Sequence, residues 1–240
     1  MAQHILRKDL KEDEIREKFV HGVESVASHQ LLVWTVIGVA AIVALAVFGW
    51  NSYTQRETAK AAQALDDSMM IFQAPVQTPG QPATPGEISY SDGRNKFNDA
   101  NRKFLQVANQ YGRTRPGQIA RYYAALSEEH LQMYDDAEKN LKQVASGTNE
   151  DLAGLARFQL AAVYTESGKG PQAVALYKEL ADKPTIFVPK PIAMLALADY
   201  YRKTDPGQAT KLYNQVKQDF PETPAAEQAD QGLELLNAKS

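Results

Sequence analysis

The sequence predicts an all-α protein with an N-terminal amphipathic helix, a single transmembrane helix, and an α-solenoid of about three to four helical hairpins ending in a C-terminal capping helix. Three observations predict this. Residues 31–50 are apolar and uncharged, and residues 51–73 contain no glycine or proline. Farther along, an alanine-centred pattern recurs every 36 or 37 residues.

Residues 1–30 form the first predicted segment, a cytoplasmic tail. Its apolar side chains recur at intervals of three to five residues with charged side chains between them, which is the spacing of an amphipathic helix. The members are Leu10, Ile15, Phe19, Val23 and Val26. Such a helix could lead into the span along the membrane surface, or dock a cytoplasmic partner.

Residues 31–50 are predicted to be the transmembrane helix. Twenty helical residues cover about 30 Å, the thickness of the hydrocarbon core of a bilayer. Trp34 and Trp50 stand near its two ends, where aromatic rings prefer the interface. A cleaved signal peptide has a shorter apolar run and a small-residue cleavage site, so an uncleaved span is favoured over a signal peptide and over a buried core helix.

The flanking charges bear on the orientation of this span. Lys11, Arg16 and Lys18 precede it, and Arg56 and Lys60 follow it, so the positive-inside bias is slight. Long domains translocate largely regardless of charge. We therefore expect the N-terminus in the cytoplasm and the large domain on the other side.

Two connecting segments follow the span. Residues 51–73 are predicted to continue the helix as a stalk. Residues 74–90 are predicted to be a Pro/Gly-rich linker, because Pro75 to Gly86 holds four prolines and two glycines and cannot pack a core.

Residues 91–240 carry the repeat. Each copy has an alanine, a large side chain four residues later and an aliphatic one three residues after that, so that all three share a helix face. The copies are Ala100, Phe104 and Val107; Ala137, Leu141 and Val144; Ala173, Tyr177 and Leu180; and Ala209, Tyr213 and Val216. A preceding helix must complete each contact, as residues 155–167 do for the third copy.

These residues resemble the tetratricopeptide repeats, whose helical hairpins recur with a period near 34 residues. The third copy matches best, through Leu160, Ala161, Tyr164, Gly168, Ala173, Tyr177 and Leu180. In the second copy Glu128 stands where an aromatic is expected, and the first copy is half present. Residues 225–237 resemble the capping helix of such a stack.

One span followed by a divergent tetratricopeptide domain is similar to the family of ancillary subunits of the bacterial Sec translocon. The resemblance implies a bacterial inner-membrane protein with its repeat domain in the periplasm. It also implies partners among translocon subunits, emerging chains and periplasmic chaperones. The Pro/Gly-rich linker departs from that family.

Composition excludes several function classes. A net charge of −3 disfavours nucleic-acid binding, and the absence of cysteine removes disulfides and cysteine zinc sites. The four histidines show no metal-ligand spacing, and no nucleophile-and-base motif occurs. Neighbouring carboxylates such as Glu128 and Glu129 are expected to be solvated. We predict no enzyme, no cofactor, no metal and no small-molecule substrate.

A binding role would use the concave groove, which the first helix of each hairpin lines. The groove-facing positions that the tetratricopeptide resemblance implies are Tyr122, Leu126, Glu129, Phe158, Ala162, Thr165, Leu195, Asp199 and Arg202. This mixture of aromatic and charged groups suits an extended or helical peptide segment. Alternatively, Tyr122, Phe158 and Leu195 are core residues between helices.

Three hypotheses on function follow. The first is a non-enzymatic single-pass membrane scaffold that binds protein segments and assists translocation or chaperone hand-off at the Sec channel. The second is an envelope-organising adaptor for cell division or outer-membrane assembly. The third is a membrane-anchored regulator that acts through its cytoplasmic helix.

Overall fold

A computed structural model of the chain describes residues 30–77, 86 and 88–238. These residues form nine α-helices and no β-strand, which confirms the all-α prediction. The helices are α1 (Gln30–Gln73), α2 (Gly93–Gln110), α3 (Arg115–His130), α4 (Tyr134–Ala145), α5 (Glu150–Glu166), α6 (Gly170–Asp182), α7 (Lys190–Thr204), α8 (Pro206–Asp219) and α9 (Pro224–Asn237). The predicted amphipathic helix of residues 1–30 lies outside the described residues, except for Gln30.

The chain divides into two compact units, Met1–Arg56 and Glu57–Ser240. In the first unit the large apolar side chains of α1 are exposed, with Trp34 at 65%, Phe48 at 72% and Trp50 at 71%. None of the most apolar stretch of α1 is buried, whereas the core helix of a soluble protein is mostly buried. By length and composition α1 can cross a membrane.

The second unit, hereafter the repeat unit, is a series of helical hairpins. Helices α3 and α4, α5 and α6, and α7 and α8 pair in chain order, and α9 packs on α8. Short polar side chains begin α2, α3, α5, α8 and α9 by accepting hydrogen bonds from free backbone N–H groups. Thr114 Oγ1 accepts a hydrogen bond from the Gly117 amide at 3.2 Å, and Asn149 Oδ1 accepts one from the Leu152 amide at 2.9 Å.

The repeated alanines all lie in the core of the repeat unit. All four, Ala100, Ala137, Ala173 and Ala209, have no exposed surface. The side chains that follow each of them at the fourth and seventh positions are buried as well, from Phe104 and Val107 in α2 to Tyr213 and Val216 in α8. At the C-terminal end of the stack, α9 approaches α8 closely. A Cβ atom added at Gly232 would lie only 2.4 Å from the Tyr213 ring. Helix α9 therefore packs on α8 through a position that admits no side chain.

The last part of α1 belongs to the repeat unit and packs on the first hairpin. The Phe72 ring lies 5.7 Å from the ring of Phe97, 5.9 Å from Phe104 and 5.4 Å from Tyr123, measured between centroids. Ala64, Leu65, Met69 and Ile71 are partly buried against the same apolar cluster. Residues 57–73 thus help to cover α2, a role that the predicted stalk did not include.

Backbone hydrogen bonds join the two ends of the Pro/Gly-rich segment, at residues 75–77 and at Tyr90. The Gln77 amide donates to the Tyr90 carbonyl at 2.8 Å, and the Tyr90 amide donates to the Pro75 carbonyl at 3.1 Å. The Gln77 side-chain amide also donates to Ser89 Oγ at 2.8 Å. The segment therefore leaves and returns at one place in the repeat unit.

Truncation of Phe72 tests whether the end of α1 stabilises the repeat unit. We expect Phe72→Ala to lower the free energy of unfolding by about 2 to 3 kcal/mol, below the value for a fully buried phenylalanine because the ring is partly exposed. Met70, 55% exposed on the same turn, supplies the control Met70→Ala, which should change little. Denaturant unfolding of the detergent-solubilised chain, followed by circular dichroism, measures both; equal effects would contradict the packing role.

Candidate functional site

The predicted groove residues lie on the first helix of each hairpin. Helix α3 carries Tyr122, Leu126 and Glu129; α5 carries Phe158, Ala162 and Thr165; α7 carries Leu195, Asp199 and Arg202. Within each helix the three positions are spaced by three or four residues and therefore share a face.

Two of these nine residues lie in the core. Tyr122 is 8% exposed and Leu195 is 5% exposed, each inside a separate apolar cluster. Phe158 is partly buried, with its ring edge-on to the Tyr177 ring at 5.7 Å. Because their surfaces are largely covered by neighbouring helices, Tyr122 and Leu195 offer a ligand little area. The alternative prediction, that these side chains are core residues between helices, therefore fits Tyr122 and Leu195 better than Phe158.

The remaining predicted residues keep accessible surface. Leu126, Ala162 and Thr165 are partly exposed, and Asp199 is exposed. The Tyr213 hydroxyl donates to Asp199 Oδ1 at 2.7 Å, and Arg202 Nε lies 3.5 Å from the same oxygen. Asp199 is thereby oriented by groups from α7 and α8.

Glu129 connects two hairpins. Its carboxylate accepts a hydrogen bond from the Gln159 side-chain amide, joining α3 to α5. Burial raises the pKa of Glu129 above its ordinary value, and the charge of Glu166 raises this pKa further, whereas the bond from Gln159 lowers it. Gln159 and Glu166 were not among the predicted residues.

Tyr177 of α6 is influenced by charged groups of three hairpins. It is 5% exposed, and burial raises the pKa of its hydroxyl. The charges of Asp199, Glu129 and Glu166 raise that pKa as well, while a hydrogen bond with Thr165 lowers it. Charged groups of α3, α5 and α7 therefore all influence the hydroxyl of one side chain of α6. The sequence pattern identified Tyr177 only as a packing residue.

The structure corrects the expectation that Glu128 is solvated. Glu128 is 2% exposed, and the Asn140 side-chain amide donates to both of its carboxylate oxygens at 2.9 Å. The side chain of Asn101 also acts on Glu128 and, like Asn140, lowers its pKa against the rise that burial causes. Arg121 Nη1 donates to Asn140 Oδ1 at 3.1 Å, which extends the network toward the surface. These polar partners replace the aromatic contact that the tetratricopeptide pattern would place here.

An open groove lies along α2, beside this network. Its lining includes Asn98, Asn101, Arg102 and Leu105, together with Met133 from the turn between α3 and α4. Among the described residues, no group of three or more His, Asp or Glu side chains is placed to hold a metal ion.

The comparison with protein families gives one match. The family described as a tetratricopeptide repeat-like domain matches residues 32–187, more than half of the chain. The matched region begins inside the apolar part of α1 and ends before α7. Neither the curated proteins nor the solved structures gave a match. The resemblance to the ancillary subunits of the Sec translocon therefore stays a prediction.

Glu128→Gln tests the buried carboxylate. Because burial raises the pKa of Glu128 in the folded chain, the folded state holds its proton to higher pH than the unfolded state does. Stability should therefore fall as pH rises from the ordinary carboxyl pKa through the raised one, by about 1.4 kcal/mol for each unit between them. The Glu128→Gln variant has no carboxyl group to ionise at this position, so its stability does not fall with pH for this reason.

Unfolding midpoints of both proteins between acidic and neutral pH measure the difference. We expect the advantage of Glu128→Gln over the native chain to grow with pH. A difference that stays constant, or that shrinks as pH rises, would contradict a buried carboxylate with a raised pKa.

Proposed function

Since the chain belongs to the tetratricopeptide repeat-like domain family, we propose that it is a non-enzymatic single-pass membrane scaffold whose repeat unit binds protein segments. Tetratricopeptide-like domains generally bind protein partners. The stacked hairpins of such domains present an extended surface to a segment of another chain.

One observation carries the proposal: α3, α5 and α7 each keep accessible side chains at the predicted groove positions, namely Leu126 and Glu129, Ala162 and Thr165, and Asp199 and Arg202. The charges of Glu129, Glu166 and Asp199, from the same three helices, also raise the pKa of the Tyr177 hydroxyl. Leu126 and Ala162 provide partly exposed apolar surface on two of the same helices. A continuous face of this kind suits a segment that runs across several hairpins.

The charge of this face favours one class of segment. Against the three carboxylates of Glu129, Glu166 and Asp199, the predicted groove residues include one cation, Arg202. Opposite charges favour association and fix register. We infer that the bound segment carries basic side chains among apolar ones.

Membrane attachment is the second part of the proposal. Helix α1 is long and apolar enough to span a bilayer, and its apolar side chains are exposed. The family match begins at residue 32, so the matched domain takes in most of this apolar stretch. Both observations support an uncleaved apolar helix that anchors the protein in the membrane. The proposed orientation, N-terminus in the cytoplasm and repeat unit in the periplasm of a bacterium, follows the flanking charges and the Sec resemblance.

We propose further that the scaffold works at the Sec channel, assisting translocation or the hand-off of emerging chains to periplasmic chaperones. The support is the shared architecture of one span followed by a divergent repeat domain. An adaptor for cell division or outer-membrane assembly has the same architecture. The identity of the bound segment distinguishes the two.

Site-specific photo-crosslinking in cells identifies that segment. A photoreactive amino acid replaces Ala162, which is partly exposed on α5, and in the control it replaces Ala175, which is exposed on α6. We expect position 162 to capture translocon subunits, chaperones or emerging chains, and position 175 to capture far less. Capture of only division or outer-membrane assembly proteins would contradict the Sec proposal. Equal capture at both positions would contradict the groove.

A further inference from the structure

The open groove along α2 is lined mainly by amide side chains, and we call it the amide groove. Its volume is about 490 Å³, within the range of roughly 300 to 1,000 Å³ that is usual for ligand sites. The lining residues of α2 follow the i, i+3, i+4, i+7 spacing of one helix face. They are Asn98, Asn101, Arg102, Leu105, Gln106 and Asn109, and Met133 joins them from the turn between α3 and α4.

Several of these amide groups are not used by the fold. Asn98 and Gln106 are exposed, and among the described residues neither side chain has a hydrogen-bond partner. Asn109 Oδ1 accepts a hydrogen bond from Arg121 Nη2 at 3.2 Å, which leaves the Nδ2 group of Asn109 as a donor. The amide groove therefore presents both donors and acceptors to a ligand.

One lining residue is held in place by the buried network. Asn101 is 7% exposed, and its side chain acts on the carboxyl group of Glu128. The Asn140 amide contacts the same carboxyl group at 2.9 Å. Because the network orders Asn101 before a ligand arrives, binding against it costs little further conformational entropy.

The charge on the lining is paired. Arg102 Nη2 lies 2.8 Å from Asp99 Oδ1, and Asp99 Oδ2 accepts a hydrogen bond from the Tyr90 hydroxyl at 3.1 Å. The other lining residues are neutral amides and two apolar side chains. Since charge complementarity selects partners, this lining favours a neutral ligand. The lining residues that the structure describes include no aromatic ring on which a nucleobase could stack.

The length and chemistry of the groove match an extended main chain. Asn98 and Asn109 are eleven residues apart, which is about 16 Å along α2. An extended segment of about five residues covers this length at about 3.3 Å per residue. Its main chain presents one N–H donor and one carbonyl acceptor per residue, and amide side chains carry both kinds of group. Leu105 and the 42% exposed Met133 add apolar surface for a side chain.

The amide groove is separate from the face on α3, α5 and α7. Helix α2 carries the repeated alanine Ala100, as α4, α6 and α8 carry theirs, so α2 belongs with the second helices of the hairpins. The lining residues include none of the nine positions predicted on α3, α5 and α7. A ligand in the amide groove therefore uses a different surface of the repeat unit.

We propose that the amide groove binds an extended, uncharged segment of a partner protein. The side chains of Asn98, Gln106 and Asn109 hydrogen-bond to the main chain of this segment, and one of its aliphatic side chains contacts Leu105 and Met133. Because the main chain is recognised, many neutral sequences fit, and charged side chains in the segment add no affinity. The proposal is independent of the segment that α3, α5 and α7 bind.

Fluorescence anisotropy with the detergent-solubilised full-length chain tests the amide groove. The probes are fluorescein-labelled pentapeptides with serine and threonine around a central leucine, methionine or valine. Gln106→Ala removes one unpartnered amide, and Asn98→Ala together with Gln106→Ala removes two. The matched control is Gln110→Ala, since Gln110 is an exposed amide of α2 outside the lining. A further variant, Asp199→Asn, alters the other face.

We expect at least one probe to bind, Gln106→Ala to weaken its binding about threefold to tenfold, and the double variant to weaken it further. The exposed positions of both side chains leave the fold intact, which circular dichroism checks. Gln110→Ala and Asp199→Asn should leave the affinity unchanged. Methylation of the main-chain nitrogens of the probe should weaken binding severalfold, because it removes the donors that the amides of α2 use.

Four outcomes would overturn the proposal. The first is that no probe binds at millimolar concentration. The second is that Gln106→Ala weakens binding no more than Gln110→Ala does. The third is that the methylated probe binds as well as its parent, which would exclude recognition of the main chain. The fourth is that probes with lysine or glutamate in place of threonine bind more tightly, which would show that charge selects the ligand. Loss of binding in Asp199→Asn alone would place the probe on the other face and would likewise overturn it.

Discussion

The repeat unit depends on four buried alanines. At Ala100, Ala137, Ala173 and Ala209 the side chain has no exposed surface, so we expect neighbouring helices to meet there with little room beyond a methyl group. Protein interiors are packed as densely as organic crystals, and a larger side chain at such a point forces backbones apart. Because the alanines recur at 36 or 37 residues, the same crossing is repeated along the stack. The second helices therefore face their partners in the same way in each hairpin.

We propose that the faces of α3, α5 and α7 form the surface that this repetition leaves for recognition. Each hairpin contributes a few groups, among them Glu129, Glu166 and Asp199, whose charges all raise the pKa of Tyr177. Specificity on such a surface comes from which side chains stand at equivalent positions, since the backbone geometry is shared. The same geometry determines where the loops emerge, and the loop before α7 uses this to present Ile186 and Phe187 to solvent.

The helices and the small-residue crossings could be predicted because their signals are local. An alanine followed by large side chains at the fourth and seventh positions specifies a helix face without knowledge of the rest of the chain. Burial that depends on distant partners could not be predicted in this way. Glu128 is buried because Asn101 and Asn140 come from other helices to meet it. The packing of Phe72 on Phe97 depends on the return of the chain after residue 77, for which the sequence shows no local signal.

Substitution of one repeated alanine tests the packing constraint most directly. Ala173 is fully buried on α6 and Ala175 is exposed two residues later, so Ala173→Leu and Ala175→Leu add the same atoms to the same helix. In denaturant unfolding of the detergent-solubilised chain we expect Ala173→Leu to lower the free energy of unfolding by about 1 to 3 kcal/mol and Ala175→Leu to leave it nearly unchanged. Equal stability of the two variants would contradict a stack organised by close helix crossings at alanine.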